Sequence, residues 1–260
     1  METVDFGRTG LRVSRLGFGT GTNGWSNRSD QTALGIDGLA DLLCLAHEHG
    51  VTFWDAADQY GSHPHVARAL QSVRRDSVVI ATKVWSRTAK RVTRDIERFL
   101  RELGTDVLDV VLLHSMMSSD WPRRHAGMME ALSRAKEQGK VRAVGVSCHG
   151  LGALRAAAQT DWVEVVLARI NHAGVNMDGE PSATAVVIED MYNAGKAVYG
   201  MKVLGCGQLA NDVRAAMAYV FQLGTVYSVS IGMISREQVI ENVKVVENLA
   251  PRYPLRTIPA

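Results

Sequence analysis

Eight short apolar runs, each followed by a segment of helical periodicity, constrain this chain more than any other feature. The runs fall at residues 16–19, 51–54, 78–81, 107–113, 141–146, 163–168, 197–201 and 226–231. Their starts are about thirty residues apart, the length of a βαβ unit. Between them Ile96, Phe99, Leu100 and Leu103 recur at three- and four-residue steps, with Arg94, Asp95, Glu97, Arg98 and Arg101 on the remaining faces. Leu39, Leu42, Leu43 and Ala46 do the same, and Gly50 ends that helix. Val239, Val243 and Val246 mark the last helix, with Ser235 as its expected N-cap. Strict strand–helix alternation implies a parallel sheet with helices outside it. Eight units favour closure into a (β/α)8 TIM barrel, which takes about 250 residues. The chain has 260 residues and no Pro/Gly/Ser linker, so one barrel domain over 1–260 is expected. An N-terminal β-hairpin precedes it, residues 4–13, with short alternating stretches around a glycine-containing turn. The alternative is an open doubly wound sheet. It would need Gly-x-Gly-x-x-Gly after its first strand, where this chain has Thr20-Gly21-Thr22-Asn23-Gly24.

Charge is nearly balanced, 29 basic against 27 acidic residues, which leaves no electrostatic footprint for nucleic acid. Arg74-Arg75 and Arg123-Arg124 read as solvated helix ends. No run reaches the ~18 apolar residues of a membrane helix, and the first residues lack the basic and apolar regions of a signal peptide. Cys44, Cys148 and Cys206 are widely spaced and odd in number, so neither a disulfide framework nor a metal cluster is expected. These features together fit a reducing, cytoplasmic setting. His47-Glu48-His49 and His63-Pro64-His65 invite a metal-ligand reading, but residues two apart do not share a helix face. No third ligand has suitable spacing, so no metal is expected.

In a parallel barrel the C-terminal strand ends face one side, where barrel active sites lie. Asp55 and Tyr60 follow the second run, Lys83 follows the third, and His114 ends the fourth. A tyrosine hydroxyl is a poor acid at neutral pH. A nearby ammonium favours the phenolate, a carboxylate holds the ammonium, and an imidazole can orient a carbonyl oxygen. The set suits protonation of a carbonyl oxygen as hydride reaches its carbon.

The sequence resembles the aldo-keto reductase family. The resemblance rests on Arg15-Leu16-Gly17-Phe18-Gly19-Thr20, on Phe53-Trp54-Asp55-Ala56-Ala57-Asp58-Gln59-Tyr60-Gly61 and on Ala81-Thr82-Lys83-Val84. It continues through Leu112-Leu113-His114, residues 139–147, Ile231-Gly232-Met233-Ile234-Ser235 and Glu241-Asn242. It implies a catalytic tetrad of Asp55, Tyr60, Lys83 and His114, with Tyr60 as proton donor. It also implies a nicotinamide cofactor held by Gly19, Thr20, Asp55, Ser147, Asn171, Met201, Lys202, Gly205, Gln208, Leu209, Gly232, Met233, Ser235, Arg236, Gln238 and Asn242.

The cofactor side departs from the family pattern. Ser147 is followed by Cys148-His149 rather than Asn, and residues 167–172 offer Arg169 or Asn171 in place of Gln. Met201 aligns with the usual stacking aromatic, in a Gly-Met-Lys form similar to a bacterial branch. Cys148 reads as a packing residue, because nothing supplies the base that a thiol nucleophile needs. Few residues separate Gln208 from the helix expected near Asp212, and the tail 254–260 is short, so an open cleft is expected. Arg236 is the cation nearest the expected 2′-phosphate position, which gives a lean to NADP(H) with NAD(H) usable. The reading is a reductase of small carbonyl compounds; no expectation is formed for the oligomeric state. The alternatives are a non-enzymatic nucleotide-binding regulatory subunit, a role some relatives play for potassium channels, and a barrel isomerase or aldolase using Lys83 as a Schiff base.

Overall fold

The computed structural model describes residues 1–257; residues 258–260, the end of the short tail, lie outside the described residues. The opening segment forms the hairpin, with β1 (Thr3–Asp5) antiparallel to β2 (Arg12–Ser14). Eight parallel strands then close into a barrel: β3 (Leu16–Gly19), β4 (Phe53–Asp55), β5 (Val79–Val84), β6 (Leu108–Met116), β7 (Val141–Cys148), β8 (Val165–Arg169), β9 (Ala197–Met201) and β10 (Ser228–Gly232). Neighbours follow chain order, and β10 pairs with β3. Outside lie α1 (Gly35–Glu48), α2 (His63–Ala69), α3 (Ala89–Leu103), α4 (Trp121–Arg124), α5 (Ala126–Glu137), α6 (Leu151–Gln159), α7 (Pro181–Asn193), α8 (Val213–Gln222) and α9 (Arg236–Leu249). Ser235 caps α9 by accepting from Gln238 N.

Strand boundaries differ from the apolar runs in an instructive way. β4, β8 and β10 start later than the runs because Val51, Val163 and Val226 are buried lead-ins. Val51 N donates to Ala46 O at the end of α1, for example, rather than to a strand. The ladder also continues past the apolar residues: Gly19 pairs with Asp55, Asp55 with Ala81, and Lys83 with Leu112. Asp55, Lys83 and His114 therefore lie inside strands, and the pleat fixes their direction.

That direction is inward. Alternate residues of each strand face opposite sides. Phe53 in β4, Val79 and Ala81 in β5, and Val110 and Leu112 in β6 belong to the cluster inside the barrel. Trp54, Ile80, Val111 and Leu113 pack outward against the helices. Asp55, Lys83 and His114 each continue an inward row, as do Arg169 after Val165 and Leu167, and Met201 after Ala197 and Tyr199. The hairpin seals the opposite end. Phe6 packs on Phe53, Tyr199 and Tyr227, with ring centroids 5.4, 6.1 and 5.9 Å away. This apolar floor leaves the polar ends of the inward rows at the C-terminal mouth.

Candidate active site

At that mouth Lys83 is completely buried, yet it is charged and satisfied. Its Nζ donates to Asp55 Oδ1 at 2.7 Å and to Ala56 O at 2.8 Å. Asp55 Oδ1 also accepts from Tyr199 OH at 2.8 Å. Burying a lone ammonium costs several kcal/mol, so the carboxylate partner is a condition of Lys83 being there at all. Burial pulls the Lys83 pKa down, but Asp55 and Tyr60 outweigh it and hold the ammonium above its ordinary value.

Tyr60 comes from a single 3-10 turn, Asp58–Tyr60, which Gly61 closes at φ +64°. A Cβ on Gly61 would lie 2.3 Å from Asn27 O, so both the conformation and the space require glycine. The Tyr60 ring rests on bare backbone: a Cβ on Gly21 or Gly24 would come within 2.2 or 2.4 Å of it. Lys83 Nζ sits 4.9 Å from the Tyr60 ring centroid, and the His114 ring meets that ring edge-on at 5.6 Å. Lys83 acts on Tyr60 in the direction the sequence suggests, towards a lower pKa. Burial is the larger influence, however, and the hydroxyl ends above its ordinary value. Tyr60 therefore holds its proton at neutral pH. Burial, and then Lys83, His149 and Arg87, push His114 well below the ordinary histidine range, so its imidazole is neutral.

A cavity of about 660 Å³ opens over this group, lined by Asp55, Tyr60 and His114 and walled by Trp25 and Trp85. The two indoles meet edge-on at 5.0 Å, and Trp85 packs against His114 at 5.5 Å. Trp85 lies two residues beyond Lys83, so the strand-end logic that selected Lys83 could have found it. Tyr199 gave no such signal, because its partner Asp55 is 144 residues away in sequence.

Of the expected cofactor residues, Gly19, Asp55, Met201, Lys202, Gly232, Gln238 and Asn242 line the cavity. Gly205, Gln208 and Leu209 do not, although their neighbours Leu204, Cys206 and Gly207 do. Thr20 is buried against Asp55 O and Ser62 Oγ, and Met233 is buried in the outer core. Ser235 serves as the α9 cap, and Arg236 is exposed beside it. Ser147 follows Ala143 and Gly145 along β7 but is buried and does not line the cavity. Its Oγ accepts from Ser115 N at 3.0 Å and holds a bulge in β6 where Ser115 has φ +61°.

Asn171 also does not line the cavity. It lies two residues past Arg169, the end of β8, and is fully buried. Its Nδ2 donates to Val175 O and Lys202 O, and its Oδ1 accepts from Ala173 N and Val175 N. Its hydrogen bonds go into the loop backbone. Arg169, the other candidate, lines the cavity. It donates to His149 Nδ1 at 2.6 Å and pairs with Asp178 at 2.8 Å. Among the described residues no group of three potential ligands could hold a metal, and no helix is long and apolar enough to cross a membrane.

A barrel with a buried carboxylate–ammonium pair under a tyrosine defines a class, and the comparisons agree with it. Residues 15–219 match the model of the aldo/keto reductase family, and the chain belongs to that family. It is 29% identical to the aldo-keto reductase YhdN of Bacillus subtilis (strain 168), over 56% of this chain and 47% of that protein. It is 24% identical to the NADH-specific methylglyoxal reductase of Escherichia coli (strain K12), over 69% of this chain and 62% of that protein. The chain thus spans less than two thirds of the length of either relative. The fold is shared with an aldo-keto reductase of Bacillus halodurans in its holo form: TM-score 0.77 and 21% identity, covering 95% of this chain and 91% of that one.

Proposed function

We propose that this chain, acting as one domain, is an NAD(P)H-dependent oxidoreductase that reduces aldehydes or ketones to alcohols, with Tyr60 as proton donor. The observation that carries the reading is the buried Lys83–Asp55 pair, with Nζ 4.9 Å from the Tyr60 ring, beneath an open cavity. When bound, the nicotinamide supplies hydride to the carbonyl carbon. Tyr60 holds the proton destined for the carbonyl oxygen. Lys83 then faces the phenolate left behind and offsets its charge, while Asp55 and Tyr199 keep Lys83 in place. His114, being neutral, can orient the oxygen without competing as an acid. Trp25 and Trp85 wall the cavity beside Tyr60 and His114.

The cavity residues fit such a cofactor. Gly19 and Gly232 keep one wall flat: a Cβ on Gly232 would lie 2.0 Å from Thr22 Oγ1. Ile234 and Gln238 bring the N-terminus of α9 to the rim, and Lys202 adds a cation. A helix N-terminus with a nearby cation suits a phosphate. NADP(H) is preferred in this reading and NAD(H) usable; the NADH-specific name of the Escherichia coli relative supports keeping both.

Tyr60→Phe tests the reading, because it keeps the ring and removes the acid. Turnover of a simple aromatic aldehyde should fall by about two to four orders of magnitude, with cofactor affinity little changed. Near-normal turnover would remove Tyr60 from the role, and absence of cofactor oxidation by the parent enzyme across a carbonyl panel would favour a regulatory subunit.

A further inference from the structure

A second set of polar side chains lies outside the barrel wall and touches neither substrate nor cavity. Arg98, on α3, donates from Nη1 to Asp58 Oδ1 at 2.8 Å and to Glu102 Oε1 at 3.0 Å, and from Nη2 to Asp95 Oδ1 at 3.0 Å. Glu102 Oε2 lies 2.7 Å from His63 Nδ1, and His63 Nε2 lies 2.8 Å from Thr82 Oγ1. His63 is buried and packs edge-on against Phe99 at 4.6 Å. The result is one unbroken chain of hydrogen bonds: Asp58, Arg98, Glu102, His63, Thr82. It begins two residues before Tyr60 and ends one residue before Lys83.

The placement matters because of what stands at each end. Lys83 belongs to a barrel strand, which the ladder holds rigidly. Tyr60 sits on one turn of 3-10 helix, which is too short to fix its own geometry. Backbone ties from Tyr60 N to Ala57 O and from Asn27 N to Gln59 O hold that turn to itself and to a neighbouring loop. The Asp58–Arg98 pair ties it to the helix layer. A lone exposed ion pair contributes little, but this guanidinium serves three carboxylates from two elements. Glu102, its neighbour on the same helix face, carries the tie back to the strand that bears Lys83.

We infer that this network is a clamp that sets Tyr60 against Lys83, and that Arg98, on the outer helix layer, is a positioning residue for proton donation. The inference rests on the reading of Tyr60 as the proton donor. A misplacement near 1 Å can cost up to about 10²-fold in rate, so the clamp acts on kcat and not on cofactor binding.

The test uses Arg98→Gln and Asp58→Asn, which approach the pair from opposite sides and keep hydrogen-bonding capacity. Each should lower kcat on the order of 10- to 100-fold, with the NADPH dissociation constant from fluorescence titration unchanged. In a Tyr60→Phe background the same changes should cost almost nothing further, since the group they position is gone. A structural readout is independent of turnover. With 3-fluorotyrosine incorporated, the fluorine resonance of position 60, identified by its loss in Tyr60→Phe, should be one narrow line in the parent and broadened or shifted in Arg98→Gln. Unchanged kcat and an unchanged line in both variants overturn the clamp, as does a full kcat loss persisting without Tyr60. If Tyr60→Phe alone turns over normally, the proton-donor reading has failed and the clamp with it. If Tyr60→Phe is impaired while Arg98→Gln and Asp58→Asn are not, only the clamp has failed.

Discussion

The two halves of the barrel mouth use their polar residues differently. On the β4–β6 side, Asp55, Lys83 and His114 continue inward-facing rows; a regular ladder sets Asp55 and Lys83, and His114 follows the last regular pair of β6, at the edge of its bulge. On the β7–β9 side, Ser147 holds a bulge, Asn171 pins a loop, Arg169 is shared between His149 and Asp178, and Lys202 reaches Cys206 Sγ at 2.8 Å. Asn176, Lys202 and Cys206, all non-glycine, adopt positive φ around this second half; Asn23, Ser26 and Asn27 do so in the loop after β3, and Ser115 in the bulge of β6. Regular strands turn sequence position into side-chain direction. Irregular backbone spends polar side chains on its own unsatisfied N–H and C=O groups. The first half therefore presents Asp55, Tyr60 and His114 to the cavity, and the second spends Ser147 and Asn171 on its own backbone.

The largest expected effect lies on the β4–β6 side. Lys83→Met keeps the length of the side chain and removes the ammonium, leaving Asp55 buried without its cation. Breaking a buried pair from one end costs about 3–5 kcal/mol, so urea denaturation should show a loss of that order. Turnover should fall by at least about two orders of magnitude. Arg169→Met is the matching change on the other side. Its pair with Asp178 leaves each side chain 21% exposed, so its stability cost should be clearly smaller. Equal costs for the two variants would erase the contrast.

A middle-sized effect concerns His149 and acid. Burial, and then Arg169, Lys202 and Lys83, lower its pKa to about 3. Its Nδ1 accepts from Arg169, which requires the neutral ring. An unfolded histidine titrates near 6.5, so the unfolded state binds more protons across the interval down to about 3. Stability from this site is fully present above about pH 6.5 and is lost as pH falls through the folded value. His149→Gln retains an acceptor for Arg169 and does not titrate. Between pH 7 and pH 5 the variant should lose about 1–2 kcal/mol less stability than the parent. His114 is depressed as well and keeps part of the acid sensitivity in both proteins. Parallel pH curves for parent and variant would show that His149 does not carry this dependence.

Much of this contrast is legible in the sequence, and the exceptions have physical causes. Strand–helix alternation carries the barrel, and apolar runs ending in Asp55, Lys83 and His114 carry the catalytic side, because period-two alternation extends through the polar residues. Asn171 misleads because a polar residue just past a strand looks mouth-facing when read by order alone. Asn171 keeps the parity of Arg169, but β8 ends at Arg169 and beyond it the side chain bonds the loop backbone. The pKa of Tyr60 was expected to fall next to an ammonium, but burial is not readable from neighbours in sequence. Arg98 lies among the charged residues that mark the outer face of α3, and periodicity cannot separate a solvated arginine from one that holds three carboxylates.

The smallest expected effect, and the one that decides the cofactor lean, is at Arg236. It is the first residue of α9, exposed, beside a cap in which Ser235 accepts from Gln238 N and Gln238 Oε1 accepts from Ile234 N. The helix N-terminus favours an anion through its free N–H groups. Glu237, in the same turn, has its carboxyl held below the ordinary range by its own backbone N–H and by Ser235, so it stays charged and opposes a second anion. Ile234, Gln238 and Glu241 line the cavity here, and Arg236 stands beside them. A single exposed cation of this kind contributes little and is screened by salt. Arg236→Ala should raise the NADPH dissociation constant by about two- to fivefold, leave NADH binding unchanged, and lose that difference at high ionic strength. Equal weakening of both cofactors would show that Arg236 supports the helix rather than a 2′-phosphate. A parent enzyme that binds NADH more tightly than NADPH would overturn the lean to NADP(H).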